Sequence, residues 1–330
     1  MIKLVKKSFL FLIILVAIFT MTSCGDEDNN GTPISIQIYT ENGRPYLNFG
    51  RYPQTVVSDE NLIKELEKIT ETNSLGYIEY NGEEYKKLVA EPYRLEKSIF
   101  KNGDKVEADK TYYFLVEPIK WRVLATISGG YQLLSEFTLD SQNFYTYGWG
   151  TRTINSQTIY PNNYEYSNIR AWLNGYNGTS YGVEDYTNKG FIDIAFTEEE
   201  KAIIKTTLVD NSLESTGDKE NQYVCNNTYD KIYLLSYQEA TNTSYGFDSD
   251  CKIYDSARLV QATDYALACG CCMLTSTYYY GYGYWYLRSP NFSRNNSARI
   301  VCWYGYIDSC DFVTAKTPGV RAALEIDVIK

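Results

Sequence analysis

The chain of 330 residues contains no histidine. Histidine is the commonest general base and the commonest zinc ligand, so its absence excludes every Ser–His or Cys–His nucleophilic pair and the usual zinc sites. Basic runs are missing as well. The net charge is −10 and no long Lys/Arg stretch interrupts it, so nucleic acid is not an expected partner. No fixed-period repeat is present, which argues against a solenoid or propeller. Cys269-Gly270-Cys271-Cys272 has no zinc-ribbon counterpart, no calcium loop is picked out, and neither a metal nor a cofactor is expected. What the chain does have is tyrosine, 33 of them along its length, and from Tyr278 onward tyrosines stand in a segment crowded with Asn, Ser, Asp and Arg. Tyrosine offers a large contact area with two torsions to freeze, and Asn and Ser add adaptable hydrogen bonding. A Tyr-rich β-sheet accounts for the same composition without any binding role.

The N-terminus reads as a targeting segment. Lys3, Lys6 and Lys7 precede an apolar run from Phe9 to Phe19, too short for a comfortable membrane span. Met21-Thr22-Ser23-Cys24 follows and resembles a bacterial lipobox, with Met where Leu is preferred. Residues 1–23 are expected to be a lipoprotein signal peptide and Cys24 the acylated anchor in the lipid bilayer. Residues 24–40 are expected to be a flexible tether, and 41–330 the folded domain. With Cys24 acylated, Cys225, Cys251, Cys269, Cys271, Cys272, Cys302 and Cys310 remain. Their number is odd, and export permits one or two disulfides among them.

The periodicity gives strands at Ile34–Ile38, Leu47–Gln54, Tyr112–Val116, Pro118–Ala125, Tyr131–Ser135 and Ile232–Leu235. Helices are expected over Asn61–Ile69, over Asn168–Asn174 behind Ser167, and over Arg258–Ala268. Thr197-Glu198-Glu199-Glu200 and Ser236-Tyr237-Gln238-Glu239 read as capping boxes, which gives Glu200 and Glu239 a backbone task. Residues 140–165 read as a long loop. Helices scattered among short antiparallel strands with long loops predict an α+β fold.

Five sequence words stand in a familiar order. They are Asn48-Phe49-Gly50-Arg51-Tyr52-Pro53-Gln54, Pro118-Ile119-Lys120-Trp121-Arg122-Val123-Leu124, Tyr166-Ser167-Asn168-Ile169-Arg170-Ala171-Trp172-Leu173-Asn174, Trp285-Tyr286-Leu287-Arg288-Ser289-Pro290 and Gly319-Val320-Arg321-Ala322-Ala323-Leu324. Over roughly residues 45–328 the chain resembles bacterial exported domains of the formylglycine-generating-enzyme branch of the C-type lectin fold. Within that branch it resembles the treponemal variable lipoproteins, whose gene ends are rewritten by a diversity-generating retroelement.

The resemblance implies a C-type-lectin-like domain with a diversified ligand-binding segment at about 284–312. It also implies a location at the bacterial cell surface or outer membrane. The ligand-binding residues it implies are Tyr284, Tyr286, Asn291, Phe292, Ser293, Arg294, Asn295, Asn296, Ser297, Trp303, Tyr304, Tyr306, Asp308, Ser309, Asp311 and Phe312. A protein or glycan ligand and a monomer are expected. The Tyr284/Tyr286 and Tyr304/Tyr306 spacings would turn each pair to one face of a strand.

Catalysis is not expected. Cys302 and Cys310 are spaced more widely than the cysteine pair of formylglycine-generating enzymes. Arg288 and Arg321 read as braces for loops.

Overall fold

The computed structural model describes residues 34–93, 98–275, 281–307 and 309–328. The expected signal peptide, Cys24, the tether up to Pro33, Tyr278 to Tyr280 and Asp308 lie outside the described residues. The described chain is 34% strand and 15% helix, a mixed α and β protein in which strands dominate.

Two Asn-Gly hairpins open the fold. β1 (Tyr39–Glu41) turns through Asn42-Gly43 into β2 (Arg44–Val56), and β3 (Ile78–Tyr80) turns through Asn81-Gly82 into β4 (Glu83–Val89). All four turn residues have positive φ, the geometry that matches the twist of flanking strands. Ile34–Ile38 joins no ladder, although Ile36 packs against the core, so the strand expected there does not form and the first strand starts at Tyr39. α1 (Glu60–Leu66) starts at Asp59, whose carboxylate accepts from the Asn61 amide at 2.8 Å.

β5 (Thr111–Ile127) merges two expected strands across Pro118. Pro118 pairs with Arg51 at a register shift in β2, where the ladder is already broken and a missing N–H costs nothing. Gly50 lies at the same bulge with φ +68°, and a Cβ there would sit 2.5 Å from the Phe196 ring. The sequence word around Gly50 therefore encodes a bulge.

β6 (Gly130–Ser135) follows, and then the hairpin of β7 (Arg152–Ile154) and β8 (Gln157–Ile159), which stands inside the stretch expected to be loop. α2 (Asn168–Asn174) has the expected bounds, with the Ser167 hydroxyl accepting from the Arg170 amide at 3.2 Å. α3 (Phe191–Ala195) and α4 (Glu198–Ile203) come next. At α4 both bonds of the Thr197/Glu200 box form, at 3.2 and 2.9 Å.

β9 (Thr207–Val209), β10 (Thr228–Asp230) and β11 (Ile232–Tyr233) lead to α5 (Tyr237–Ala240), capped by Ser236 and Glu239. The helix expected over 258–268 shrinks to α6 (Asp264–Ala268). Gln261 and Ala262 bridge to Tyr282 and Thr138 instead, so tertiary pairing overrides the local pattern. β12 (Trp285–Pro290), β13 (Ser297–Val301), β14 (Ser309–Phe312) and β15 (Ala323–Asp327) end the fold.

The main sheet has the order β1-β2-β5-β6-β15-β11, with β4 and β3 added on the edge of β5 that β6 also uses. β12, β13 and β14 form a second, three-stranded sheet. Ladders between these strands are antiparallel. Between the sheets and helices runs an aromatic chain, in which Trp172 meets Phe191 at 5.4 Å, Phe191 meets Phe196 at 5.9 Å, and Phe196 meets Trp121 at 6.4 Å.

Buried arginines tie loops to this core. Arg288 donates to Leu234 O at 2.6 Å, to Asp210 O at 2.9 Å and to the Glu239 carboxylate, and Arg321 donates to Ser135 O at 2.9 Å. Both therefore act as the expected braces. Arg258, fully buried, donates to Asp248 O at 2.7 Å, Asp250 O at 2.8 Å and Gly305 O at 2.5 Å, and lies 3.3 Å from the Asp255 carboxylate. The Asp248-Ser249-Asp250 loop, passed over in the sequence, thus has a guanidinium at its centre.

Candidate functional site

The C-terminal sheet separates the expected ligand-binding residues into three groups. The first is buried. Every described side chain of β12 and β13 is inside the protein, because the central strand is covered on both faces. Tyr286 is fully buried, and its hydroxyl donates to Phe312 O at 2.7 Å and Ala315 O at 3.0 Å. Asn296 and Ser297 are buried too. These three residues are corrections to the expected surface: strand alternation assumes one wet face, and this sheet has none at β12.

The second group lies where β12 leads into β13. Phe292, Ser293, Arg294 and Asn295 are exposed and Asn291 is half-buried. The Asn291 side-chain oxygen accepts from the Ser293 amide at 2.9 Å and the Arg294 amide at 3.0 Å, a local Asx turn. The rest of the loop is held from outside. The Asn162 amide donates to Asn295 O at 3.0 Å, and its side-chain nitrogen donates to Arg294 O at 3.0 Å and Ser297 O at 3.2 Å. Asn221 holds Pro290 O at 3.0 Å. These bonds reach backbone carbonyls, so the loop shape does not depend on its exposed side chains.

Phe312 stands opposite Ser297 at this same end and is exposed. Asp311, half-buried, accepts from Thr317 at 3.1 Å. Ser309 is placed by its backbone opposite Ile300.

The third group lies at the other end of β13. Tyr284, Trp303, Tyr304 and Tyr306 are half-buried and pack ring to ring, at 4.5 Å for Tyr284–Trp303 and 5.5 Å for Trp303–Tyr304 and for Tyr304–Tyr306. The Tyr304/Tyr306 pair sits on a turn, closed by Cys302 N to Tyr306 O at 2.9 Å, and not on a strand. Burial, with the Cys272 and Cys302 thiols and Asp311 nearby, raises the Tyr284 phenol. The Trp303 indole nitrogen is buried with no hydrogen-bond partner. The length of β13, about 14 Å for its four steps, separates this row from the loop group. The single expected surface is therefore two patches.

The loop patch also gains residues that the sequence reading missed. Trp149 is 84% exposed and Tyr147 63%. Their segment runs beside the end of β14, with Tyr145 N donating to Val313 O at 2.9 Å and Gly148 packed against Thr314. The signal was present in the Tyr- and Gly-rich composition of the aperiodic 140–165 stretch, but nothing local joined it to residue 312.

Cys225, Cys251, Cys269, Cys271, Cys272, Cys302 and Cys310 are free thiols, so none of the permitted disulfides is formed among them. Among the described residues no cluster of Cys, Asp and Glu could hold a metal ion, and no helix is long and apolar enough to cross a membrane.

No curated protein and no solved structure matches the chain. Residues 129–328, which run from the turn before β6 through β15 and include both patches, match one family. The chain belongs to the family described as Domain of unknown function (DUF6273).

Proposed function

We propose that this protein is an exported lipoprotein, anchored through acylated Cys24, that binds a protein or glycan ligand at the loop end of its C-terminal sheet. The observation that carries this reading is the loop patch. Phe292, Phe312, Tyr147 and Trp149 are all exposed there, beside Ser293, Arg294 and Asn295, on a backbone fixed by Asn162 and Asn221. Exposed aromatics of this kind are costly to leave in water and are the residues that most often carry interface energy. A C-type-lectin-like fold of the formylglycine-generating-enzyme branch belongs to the same reading. It is supported by the order of the five sequence words and by the α+β architecture with antiparallel ladders. The role is binding and not catalysis: the thiols at Cys302 and Cys310 lie on or beside β13 and β14, and burial raises the Cys310 thiol.

Diversification by a retroelement is part of the proposal and makes a positional statement. Codon changes between sister strains should cluster at 292–295, 303–306 and 310–312, and spare Tyr286, Asn296 and Ser297. The binding test is an array of extracellular proteins and glycans probed with the domain and with a Phe292→Ala/Arg294→Ala/Trp149→Ala triple variant. A ligand bound equally by both proteins would refute the loop patch. Anchoring is tested by Cys24→Ala, which should move the protein out of the detergent phase; unchanged partitioning would refute the lipobox.

A further inference from the structure

A second site lies on another part of the fold. A cleft of about 240 Å³ opens between β4, the 140–142 segment and α6, lined by Leu88, Val89, Asp140, Ser141, Tyr265 and Lys316 among others. Asp140 is buried, and its carboxylate accepts from the Tyr52 hydroxyl, from the Ser141 amide at 2.6 Å and from the Gln142 side chain at 3.1 Å. A buried carboxylate ordinarily has a cationic partner. Among the described residues Asp140 makes no ion pair. Lys316 turns outward to Glu91 at 3.2 Å, and Lys86 turns to Gly76 O at 3.5 Å and the Tyr77 ring. Leu88, Val89 and Ala268 supply apolar wall. The Tyr77 hydroxyl, nearby in the same electrostatic neighbourhood, is buried with no partner.

We propose that this cleft is a binding site for a small aliphatic ammonium group, with the cation paired to Asp140 and its alkyl chain along Leu88, Val89 and Ala268. The apolar wall fits carbon, and the unpaired carboxylate fits a donor of positive charge.

The pH dependence follows from the surroundings of Asp140. Tyr52 from β2, Tyr77, Lys86 from β4, Tyr265, Cys269, Cys271 and Lys316 are titratable groups around it, and Glu91, paired with Lys316, lines the same cleft. Burial dominates and pushes the carboxyl up to about 6, opposed by its three hydrogen bonds and by the charge on Lys316. The burial-raised phenols and thiols around it stay neutral, so the Asp140 carboxyl carries the pH dependence of its own ion pair.

The test uses the full-length protein in detergent, with n-butylammonium as the probe and n-butanol and tetramethylammonium as controls, read by calorimetry. Saturable binding of n-butylammonium is expected at pH 7.5. At pH 5.0, where only about a tenth of a carboxyl with this pKa is ionised, affinity should fall about tenfold. Asp140→Asn should abolish binding. Val89→Trp, at an exposed rim position, should block the cleft without disturbing the core, and serves if Asp140→Asn fails to fold. Absence of saturable binding at pH 7.5, equal affinity at both pH values, or equal binding of n-butanol would each overturn the proposal.

Discussion

Replacing Tyr286 with Phe removes one oxygen atom and tests the division between core and surface in the C-terminal sheet. The lost hydroxyl bridges Phe312 O at 2.7 Å and Ala315 O at 3.0 Å, and so closes the turn that follows β14. Phe312 O keeps the Ala315 amide at 2.9 Å, whereas Ala315 O loses a buried donor. The single phenolic proton is shared between the two carbonyls, and losing it while a buried acceptor is left unsatisfied costs about 1.5–3 kcal/mol. For a domain of this size that corresponds to a melting temperature lower by roughly 3–8 °C. The ring itself stays packed against Phe144 at 5.7 Å, so no cavity term enters. Thermal unfolding followed by circular dichroism measures the change, with Tyr147→Phe as the control at an exposed ring. If Tyr286→Phe falls within about 0.5 kcal/mol of the parent, as a surface change would, the inward placement of Tyr286 and the two-patch description built on it are both wrong.

Substituting Phe292, Ser293, Arg294 and Asn295 together with Ala should leave the melting temperature within about 2 °C, since their backbone is held by Asn162 and Asn221; a large drop would show that the loop depends on its own side chains. Asn162→Ala should instead raise amide exchange locally in 294–297 while β5 and β6 stay protected, and uniform exchange would contradict its role as the loop's post. Arg258→Ala should cost more than about 4 kcal/mol in chemical denaturation, because it strips donors from several buried carbonyls and leaves Asp255 unpaired; a cost below about 1 kcal/mol would refute it. The Asp140 carboxyl is raised in the folded state, so its stabilising contribution is complete below about pH 4 and is lost as pH rises towards 6. Removing it in Asp140→Asn should flatten the stability profile between pH 4 and 6.5 by an amount on the order of 2–3 kcal/mol, and parallel profiles for the two proteins would count against the shift.

Local chemistry was fully legible in the sequence wherever a short segment determines its own structure. Ser167, Thr197 and Ser236 start their helices as read, because a cap needs only a side-chain oxygen and an amide three residues away. The α+β class followed from the same local signals, and the bracing roles of Arg288 and Arg321 from their place beside turns. The errors share one cause. Arg258–Ala268 has a helical pattern, but bridges to Thr138 and Tyr282 take half of it. Pro118 marks a strand end by itself and continues one strand only because the partner strand bulges opposite it.

The spacing of Tyr284 and Tyr286 could not say whether the sheet has a wet face, since that depends on what covers β12. Tertiary structure alone decided that Tyr286, Asn296 and Ser297 turn inward, that the expected surface divides at the two ends of β13, and that the segment carrying Tyr147 and Trp149 runs beside the end of β14. It also brought Asp140 beside Tyr52, Tyr265 and Lys316, residues from distant parts of the chain. Capping, turns and periodicity act over a few residues and are written in order along the chain. Burial and the meeting of distant segments depend on how the whole chain closes on itself, and no local pattern records them.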